Sequence, residues 1–549
     1  MLRTSPRRTV LTVVAALVLV AACGGDDDDA ESPASPAATT TAPAGGTGEG
    51  TSTPDGTSDD DASTSTDAAA PTTPSDVNPD ATLRYGAANL VTRFDAHKSS
   101  NGYDQNWLAP VYDRLIWQTP EVELEPGLAT EWEFTDEVTF EMTLREGVTF
   151  SDGTPFDASA VAANIDRAKN VEGSGLAAYL ASVDTVEVVD PTHVRFVLNR
   201  PDATLPMQLA TRPGMMISPA AFENPDLDRA PVGSGPYELV EYREGDMAAY
   251  ERRDDYWNPD YAGVKRIEMY YIPDSTTRLN GLRTGALDAT PLDPEQIEQA
   301  EGIDGVNVTV SDTIQLYHFQ LDRTKSEFGN PLVRRAMSHA IDREAIIEGL
   351  FFGYGTLATQ WVAPNTPYYV DDLGESTTYD PELARELLAE AGLPDGFTFD
   401  AMTSVQPTFV KLAEALQGMF AEVGITMNVT QEPNLADAFF VRNVTDAIVA
   451  AYPGRIDPAE TAQIYFNDES FSNPGRQNDP AVQQAWIDSL VPGDDRPERL
   501  EALLRAIDEA MPNLPMLYPQ IPIATTDKVH GLVYYQSGHI EFAGVTMSS

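Results

Sequence analysis

The stretch Leu144-Arg145-Glu146-Gly147-Val148-Thr149-Phe150-Ser151-Asp152-Gly153-Thr154-Pro155-Phe156 ends an alternating apolar run over 138–144, turns at Asp152-Gly153 and leads into a helix expected over 157–169. Strict alternation marks a half-buried strand, and an Asp-Gly pair marks a tight turn. Working outward, Glu131-Trp132-Glu133-Phe134 alternates in the same way, and 183–198 reads as a hairpin around Asp190-Pro191. Strands are expected at 236–242 and 264–272, with a helix beginning near 274.

Beyond about residue 320 the pattern changes to alternating helix and strand. Residues 331–349 have helical apolar spacing through Val333, Met337, Ile341 and Ile346. Asp380-Pro381-Glu382 starts a helix with proline just inside it, and Gly392 stops it. A strand at 397–402, a helix at 409–423, strands at 426–429 and 447–450, a helix at 496–511 and a strand at 514–518 complete an α/β lobe.

The amino-terminal segment is of another kind. Arg3, Arg7 and Arg8 precede an apolar run over 9–22, which is shorter than the roughly 20 residues a membrane span needs. Residues 1–22 are therefore expected to be an export signal, and Arg7-Arg8 leaves a twin-arginine route open beside the general one. Leu19-Val20-Ala21-Ala22-Cys23 resembles the bacterial lipobox, which implies lipidation of Cys23 and a chain held to the membrane by its lipid. Residues 24–80 hold thirteen Asp or Glu and no Lys or Arg among Ala, Thr, Ser, Pro and Gly. With no apolar periodicity to offset the entropy of ordering, 23–80 is expected to be a disordered acidic linker.

Charge and composition exclude more than they identify. A net charge of −51 excludes a nucleic-acid partner, because phosphate binding relies on Lys and Arg. Attraction of cationic ligands is one reading of that charge; a salt-adapted or highly soluble surface is the preferred one. Cys23 is the single cysteine, so disulfides and thiolate metal sites are excluded from the folded part. No phosphate loop, no His-Glu-x-x-His zinc helix and no Gly-x-Ser-x-Gly elbow occurs. Gly233-Ser234-Gly235 has Val232 and Pro236 where such an elbow needs glycines. The six histidines are scattered without metal-ligand spacing. No cofactor, resident metal or catalytic residue is expected.

Several further segments, taken with the opening stretch, resemble one family. They are Val111-Tyr112-Asp113-Arg114-Leu115, Pro126-Gly127-Leu128-Ala129-Thr130-Glu131-Trp132, Val232-Gly233-Ser234-Gly235-Pro236-Tyr237 and Asp254-Asp255-Tyr256-Trp257. Arg334-Arg335-Ala336-Met337-Ser338-His339-Ala340-Ile341-Asp342-Arg343 and Glu390-Ala391-Gly392 follow in the same order. Each is weak alone. The collinear set, spanning 81–549, is similar to extracytoplasmic solute-binding protein family 5, the oligopeptide, dipeptide and nickel receptors of ABC importers.

That resemblance implies an α/β, two-lobed periplasmic-binding-protein-like fold (type II, cluster C) with an extra subdomain in the first lobe. Lobe I is expected over 81–320, lobe II over 321–515, and a return to lobe I over 516–549. The two crossings should lie near 314–322 and 514–519 and hinge around a buried solute. The implied function is the lipid-anchored, monomeric binding subunit of an importer, passing peptides or peptide-like solutes to a membrane permease and its ATPase. The alternatives are a secreted carboxylate-based hydrolase, a signalling receptor on the same fold, or a receptor for a metal chelate, haem or sugar.

Matched segment by segment, Asn101, Gly102 and Tyr103 should line the first-lobe side of the cleft. Gln360 and Trp361 should wall the second-lobe side, with core packing as the alternative for Trp361. Gln406 lies at a strand-to-helix turn, a usual place for ligand contacts, whereas Tyr237 is expected to be packing. The loop Ala450-Ala451-Tyr452-Pro453-Gly454-Arg455-Ile456-Asp457-Pro458 adds Tyr452, Arg455 and Asp457. In dipeptide receptors the matching loop carries an aspartate that pairs with a peptide's free amino terminus. Here Arg455 takes that place, and a guanidinium suits a carboxylate or phosphate rather than an ammonium group. The expected solute is an acidic, blocked or side-chain-linked peptide; the alternative is that Arg455 pairs with Asp457 or another acid and braces its loop.

Overall fold

The computed structural model of the protein describes residues 77–549 apart from 100, 260 and 262, all within one compact unit. The expected export signal, Cys23 and nearly all of the linker lie outside the described residues.

Strands Ala129–Asp136, Thr139–Leu144, His193–Leu198 and Val183–Asp190 form, in that spatial order, a four-stranded antiparallel sheet. The inward residues of its middle strands, Phe140, Met142, Leu144, Val194, Phe196 and Leu198, are buried with Val161, Ile165 and Ala168 of helix Ala158–Asn170. That helix begins where Asp157 accepts a hydrogen bond from the Ala160 N–H at 3.0 Å. The signature loop between strand and helix ties this layer to the body of lobe I. Asp152 accepts from the Ser218 hydroxyl at 2.6 Å, and the Ser151 N–H donates to the Gly233 carbonyl at 2.9 Å.

The main sheet of lobe I has seven strands, in the order Val306–Ser311, Ile521–Thr526, Ala289–Pro291, Thr82–Ala87, Arg266–Tyr271, Met247–Arg252 and Tyr237–Arg243. The dispersed sequence segments meet beside it. The Gly235 N–H donates to the Val111 carbonyl at 2.8 Å, and a Cβ at Gly233 would lie 2.1 Å from that same oxygen, so only glycine fits. Asp113 is buried and accepts from Trp117 Nε1 at 2.6 Å, Trp257 Nε1 at 2.7 Å and the Tyr256 hydroxyl at 2.9 Å. Two segments far apart in the chain are thus joined at one carboxylate. Tyr237 is buried and donates to the Val264 carbonyl at 3.0 Å; it is packing.

Lobe II is built on six strands, ordered Gly355–Leu357, Leu514–Pro519, Leu316–Leu321, Ala447–Tyr452, Thr398–Thr403 and Thr426–Gln431. Helix Pro407–Glu422 buries Leu412, Leu416 and Phe420 against this sheet. The apolar spacing over 331–349 is divided between two helices, Pro331–His339 and Arg343–Phe351. The break follows from Asp342, whose carboxylate caps the second helix through the Ala345 N–H at 2.9 Å. Arg343 is buried there and donates to the carbonyls of Thr377 at 2.8 Å and Pro515 at 2.9 Å.

The crossings are shorter than the strand-like residues around them suggest. Leu316–Leu321 pairs along its length with Ala447–Tyr452, so the first crossing is confined to 312–315. Leu514–Pro519 also pairs within lobe II, and Ile521–Thr526 pairs within lobe I, leaving Gln520 between them. The two crossings touch, since the Thr313 hydroxyl donates to the Pro519 carbonyl at 2.6 Å and Gln520 Nε2 to Asp312 at 2.7 Å. No helix among the described residues is long and apolar enough to cross a membrane.

Candidate functional site

A cavity of about 130 Å³ lies where the two lobes face each other beside the crossings. Asn101, Gly102, Tyr103 and Arg212 of lobe I line it, with Gln315 of the first crossing and Arg455 and Glu460 of lobe II. The Asn101 side chain accepts from the Tyr103 N–H at 3.1 Å and so shapes the short turn Gly102–Asp104. A Cβ at Gly102 would meet nothing within 4 Å, which leaves open space at that wall. The Tyr103 hydroxyl accepts from Gln315 Nε2 at 2.9 Å, tying this turn to the crossing.

Arg455 reaches the cavity because of Gly454. That glycine has φ of +79°, and a Cβ on it would lie 1.9 Å from the Ile314 carbonyl oxygen, so the loop is pressed onto the first crossing. Arg455 Nη1 donates to the Gly454 carbonyl at 2.6 Å and Nη2 to the Tyr179 hydroxyl at 3.1 Å. Its guanidinium carbon stands 5.9 Å from the Tyr179 ring centre and 6.0 Å from that of Tyr452. The bond to Tyr179 crosses the cleft from lobe II to the extra layer of lobe I.

Arg455 does not pair with Asp457. Asp457 is buried, caps helix Pro458–Tyr465 through the Ala459 N–H at 2.9 Å and takes its ion pair from Arg496 at 2.6 Å. Arg212, 8% exposed, donates to the Ser99 carbonyl at 2.6 Å and hydroxyl at 2.8 Å, and burial pulls its guanidinium below the usual range. Neither Arg212 nor Arg455 has a carboxylate within ion-pair distance among the described residues. In so acidic a chain, two guanidiniums bonded only to neutral oxygens and lining one cavity from the two lobes form a local positive site.

Glu460 is the opposite case. It is 5% exposed, its Oε2 has no hydrogen-bond partner, and no cation among the described residues forms an ion pair with it. Burial pushes its carboxyl up to about 8; Arg455 opposes that shift, while Asp457 and Asp202 reinforce it. His539 completes one side, 2.9 Å from Glu541 and 3.2 Å from Gln105 and stacked on Tyr535, and burial lowers its affinity for a proton.

A second cavity of about 860 Å³ shares Tyr179, Pro453, Arg455 and Glu460 with the first, and Tyr452 lines it. The Tyr179–Arg455 contact therefore stands between two chambers. Gln360 and Trp361 are placed elsewhere, on a separate small cavity within lobe II. The Gln360 amide is closed on Val370, donating at 2.9 Å and accepting at 3.2 Å. Trp361 is buried against Phe466, ring centres 5.0 Å apart, and Tyr465 at 5.7 Å. Gln406 is exposed ahead of helix Pro407–Glu422 and lines none of these cavities.

Tyr179, Arg212 and Glu460 escaped sequence reasoning. For Glu460 the spacing Asp457-x-x-Glu460 has the form of a capping box, yet its carboxylate does not fold back onto the helix start. For Tyr179 and Arg212 no local pattern exists. Among the described residues, no group of three or more His, Cys, Asp or Glu stands where it could hold a metal ion.

Comparison with known proteins places this architecture. The family model for bacterial extracellular solute-binding proteins, family 5 Middle, matches residues 123–473. The chain is 34% identical over 346 residues to the glutathione-binding protein GsiB of Escherichia coli (strain K12), covering 62% of this chain and 67% of that one. In fold it is similar to the ABC transporter substrate binding protein CtaP of Listeria monocytogenes, with a TM-score of 0.76 at 21% identity over 86% of this chain and all of that one (100%). The Helicobacter pylori periplasmic binding protein DppA, solved with the peptide STSA, has a TM-score of 0.73 at 22% identity over 85% and 98% of the two chains. Two α/β lobes, an added four-stranded layer and a doubly crossed cleft agree with these matches, and the chain belongs to the bacterial extracellular solute-binding proteins of family 5.

Proposed function

We propose that the protein is the lipid-anchored binding subunit of an ABC importer that captures peptide-like solutes bearing an anionic group in the cleft between its lobes. The carrying observation is that Arg212 and Arg455 face one cavity from opposite lobes with neutral partners only. A carboxylate between them gains charge-assisted hydrogen bonds from both sides, and so favours the closed over the open arrangement. The permease and ATPase then receive the closed form, and the solute leaves unaltered. Relatives named for glutathione and solved with a peptide support a peptide-like solute. Cys23 supplies the anchor; Cys23→Ala is expected to move the protein from the membrane to the soluble fraction.

Calorimetric titration of the purified protein with acidic and neutral peptides of equal length tests the solute class. Acidic peptides are expected to bind at least about tenfold more tightly and to be recovered intact. Equal affinity for neutral peptides, or hydrolysis of any bound peptide, sinks the reading.

A further inference from the structure

The chain's return into lobe I carries three polar side chains for which solute capture has no use. Ser537, His539 and Glu541 occupy alternate positions of the hairpin between strands Val533–Tyr534 and Ile540–Glu541. The Tyr535 N–H donates to the His539 carbonyl at 2.8 Å and closes the turn. The Ile314 N–H donates to the Gln536 carbonyl at 2.8 Å, which holds the hairpin tip against the first crossing. Ser537, Gly538 and His539 line the cavity of about 130 Å³ there.

The Ser537 hydroxyl is 2.7 Å from His539 Nδ1, and His539 Nε2 is 2.9 Å from Glu541. Glu541 is held in turn by Arg114 at 2.6 Å and by the Tyr261 hydroxyl at 3.2 Å. Against the effect of burial, Arg114 keeps the Glu541 carboxyl ionised. Its oxygen then only accepts, so Nε2 carries the imidazole proton. Gln105, at 3.2 Å, is the more distant neighbour of Nε2. Burial disfavours the imidazolium form of His539, which leaves Nδ1 with a lone pair facing the Ser537 hydroxyl. Stacking on Tyr535, ring centres 4.9 Å apart, fixes the ring. A hydroxyl, a base within hydrogen-bond reach and a third group that orients the base meet the geometric condition for an activated nucleophile.

We propose that Ser537 is a nucleophile that accepts acyl groups from activated esters or thioesters entering the cleft, with His539 as its base and Glu541 positioning that base. Ser537 Oγ bonds to the acyl carbon as its proton passes to His539 Nδ1. The bond from that carbon to the leaving oxygen or sulfur then breaks, and His539 returns the proton to the leaving atom. The products are an acyl-serine and a free alcohol or thiol; water hydrolyses the acyl-serine through the same base. Arg212 and Arg455, on the same cavity, supply positive potential for the oxyanion. An amide's amine is a far poorer leaving group, so the peptide-like solutes proposed above stay intact while an activated acyl compound is captured.

The test treats the purified protein with a fluorophosphonate probe, which phosphonylates Ser537 Oγ as fluoride leaves. Intact-mass and peptide-mapping spectrometry follow the label in wild type, Ser537→Ala, His539→Gln, Glu541→Gln and Glu541→Asp. Wild type is expected to gain a single label, mapped to Ser537, and to release 4-nitrophenolate from 4-nitrophenyl acetate. Ser537→Ala should take no label. His539→Gln should be labelled at least about a hundredfold more slowly, the share of rate a general base supplies. Glu541→Gln should also slow labelling and Glu541→Asp restore part of the rate, as expected of a charge that orients the base. No label on folded wild type, a label at another residue, or equal rates in wild type and His539→Gln overturns the inference and leaves the capture of anionic solutes in place. If a His539 or Glu541 variant does not fold, wild type with and without urea decides, because only the folded chain should be labelled at Ser537.

Discussion

Arg455 and Arg212 direct their guanidinium N–H groups to two carbonyls and two hydroxyls, partners that an incoming carboxylate outcompetes. A charge-assisted hydrogen bond in a site screened from water contributes about 1.5–3 kcal/mol. Arg455→Met should therefore weaken binding of an acidic peptide by about ten- to a hundredfold while leaving the melting temperature unchanged or higher, since a buried cation is removed. Titration and a melting curve on the same sample check both halves. At this scale the sequence singled out Arg455 through a matched loop, and the residue lines the cavity between the lobes. It was silent about Glu460, whose spacing mimics an ordinary helix start. Gln360 and Trp361 show how little a matched turn says of side-chain direction: the Gln360 amide is closed on Val370, and Trp361 takes the core packing that was its alternative.

Elements position these side chains, and two of them are brittle. The loop after strand Ala447–Tyr452 lies against the first crossing at Gly454. Gly454→Ala forces a Cβ into the Ile314 carbonyl at positive φ, and a cost of about 2–4 kcal/mol is expected from the strain and the displaced loop. A lowered melting temperature with weakened acidic-peptide binding is the checkable result. The short strand Ile540–Glu541 brings Glu541 into a buried ion pair with Arg114 at 2.6 Å. Burial alone would raise the Glu541 carboxyl; Arg114 and His539 instead hold it down to about 2. Its folded value lies below its ordinary 4.5, so the stability it contributes is full above pH 4.5 and lost as pH falls towards 2. Glu541→Gln should cost about 3–5 kcal/mol at neutral pH, because Arg114 is left buried and unpaired. The variant should also show a flatter stability profile between pH 4.5 and 2 than wild type, measured by urea unfolding.

On the scale of the whole molecule, two short crossings join the lobes, and few bonds hold the far side of the cleft together. The Ala203 N–H donates to the Leu490 carbonyl at 2.8 Å, and Tyr179 meets Arg455. Closure in the absence of solute thus depends on contacts worth a few kcal/mol, a range in which a solute can shift the balance. Tyr179→Phe removes one of them and should enlarge the solute-free scattering envelope, with saturating acidic peptide restoring the compact one. A solute at a hundred times its dissociation constant should stabilise the fold by about 2.7 kcal/mol, seen as a rise in melting temperature. An envelope identical with and without solute, in wild type and variant alike, would exclude a hinged cleft.

The sequence by itself determined the local elements and the order in which they follow one another. Apolar period, Asp-Pro helix starts and Asp-Gly turns act within a few residues, so 157–169, 183–198 and 380–390 were legible without any partner. Even there a cap overrode periodicity, as Asp342 divides one expected helix in two. Only the tertiary structure decided which charges meet. Tyr179 and Arg455 are 276 positions apart, and Glu460, with its orphaned oxygen, lines the cavity that residues of both lobes enclose. Hydrogen bonding along a helix or turn is written into neighbouring residues, whereas burial and pairing across a cleft depend on how whole lobes pack.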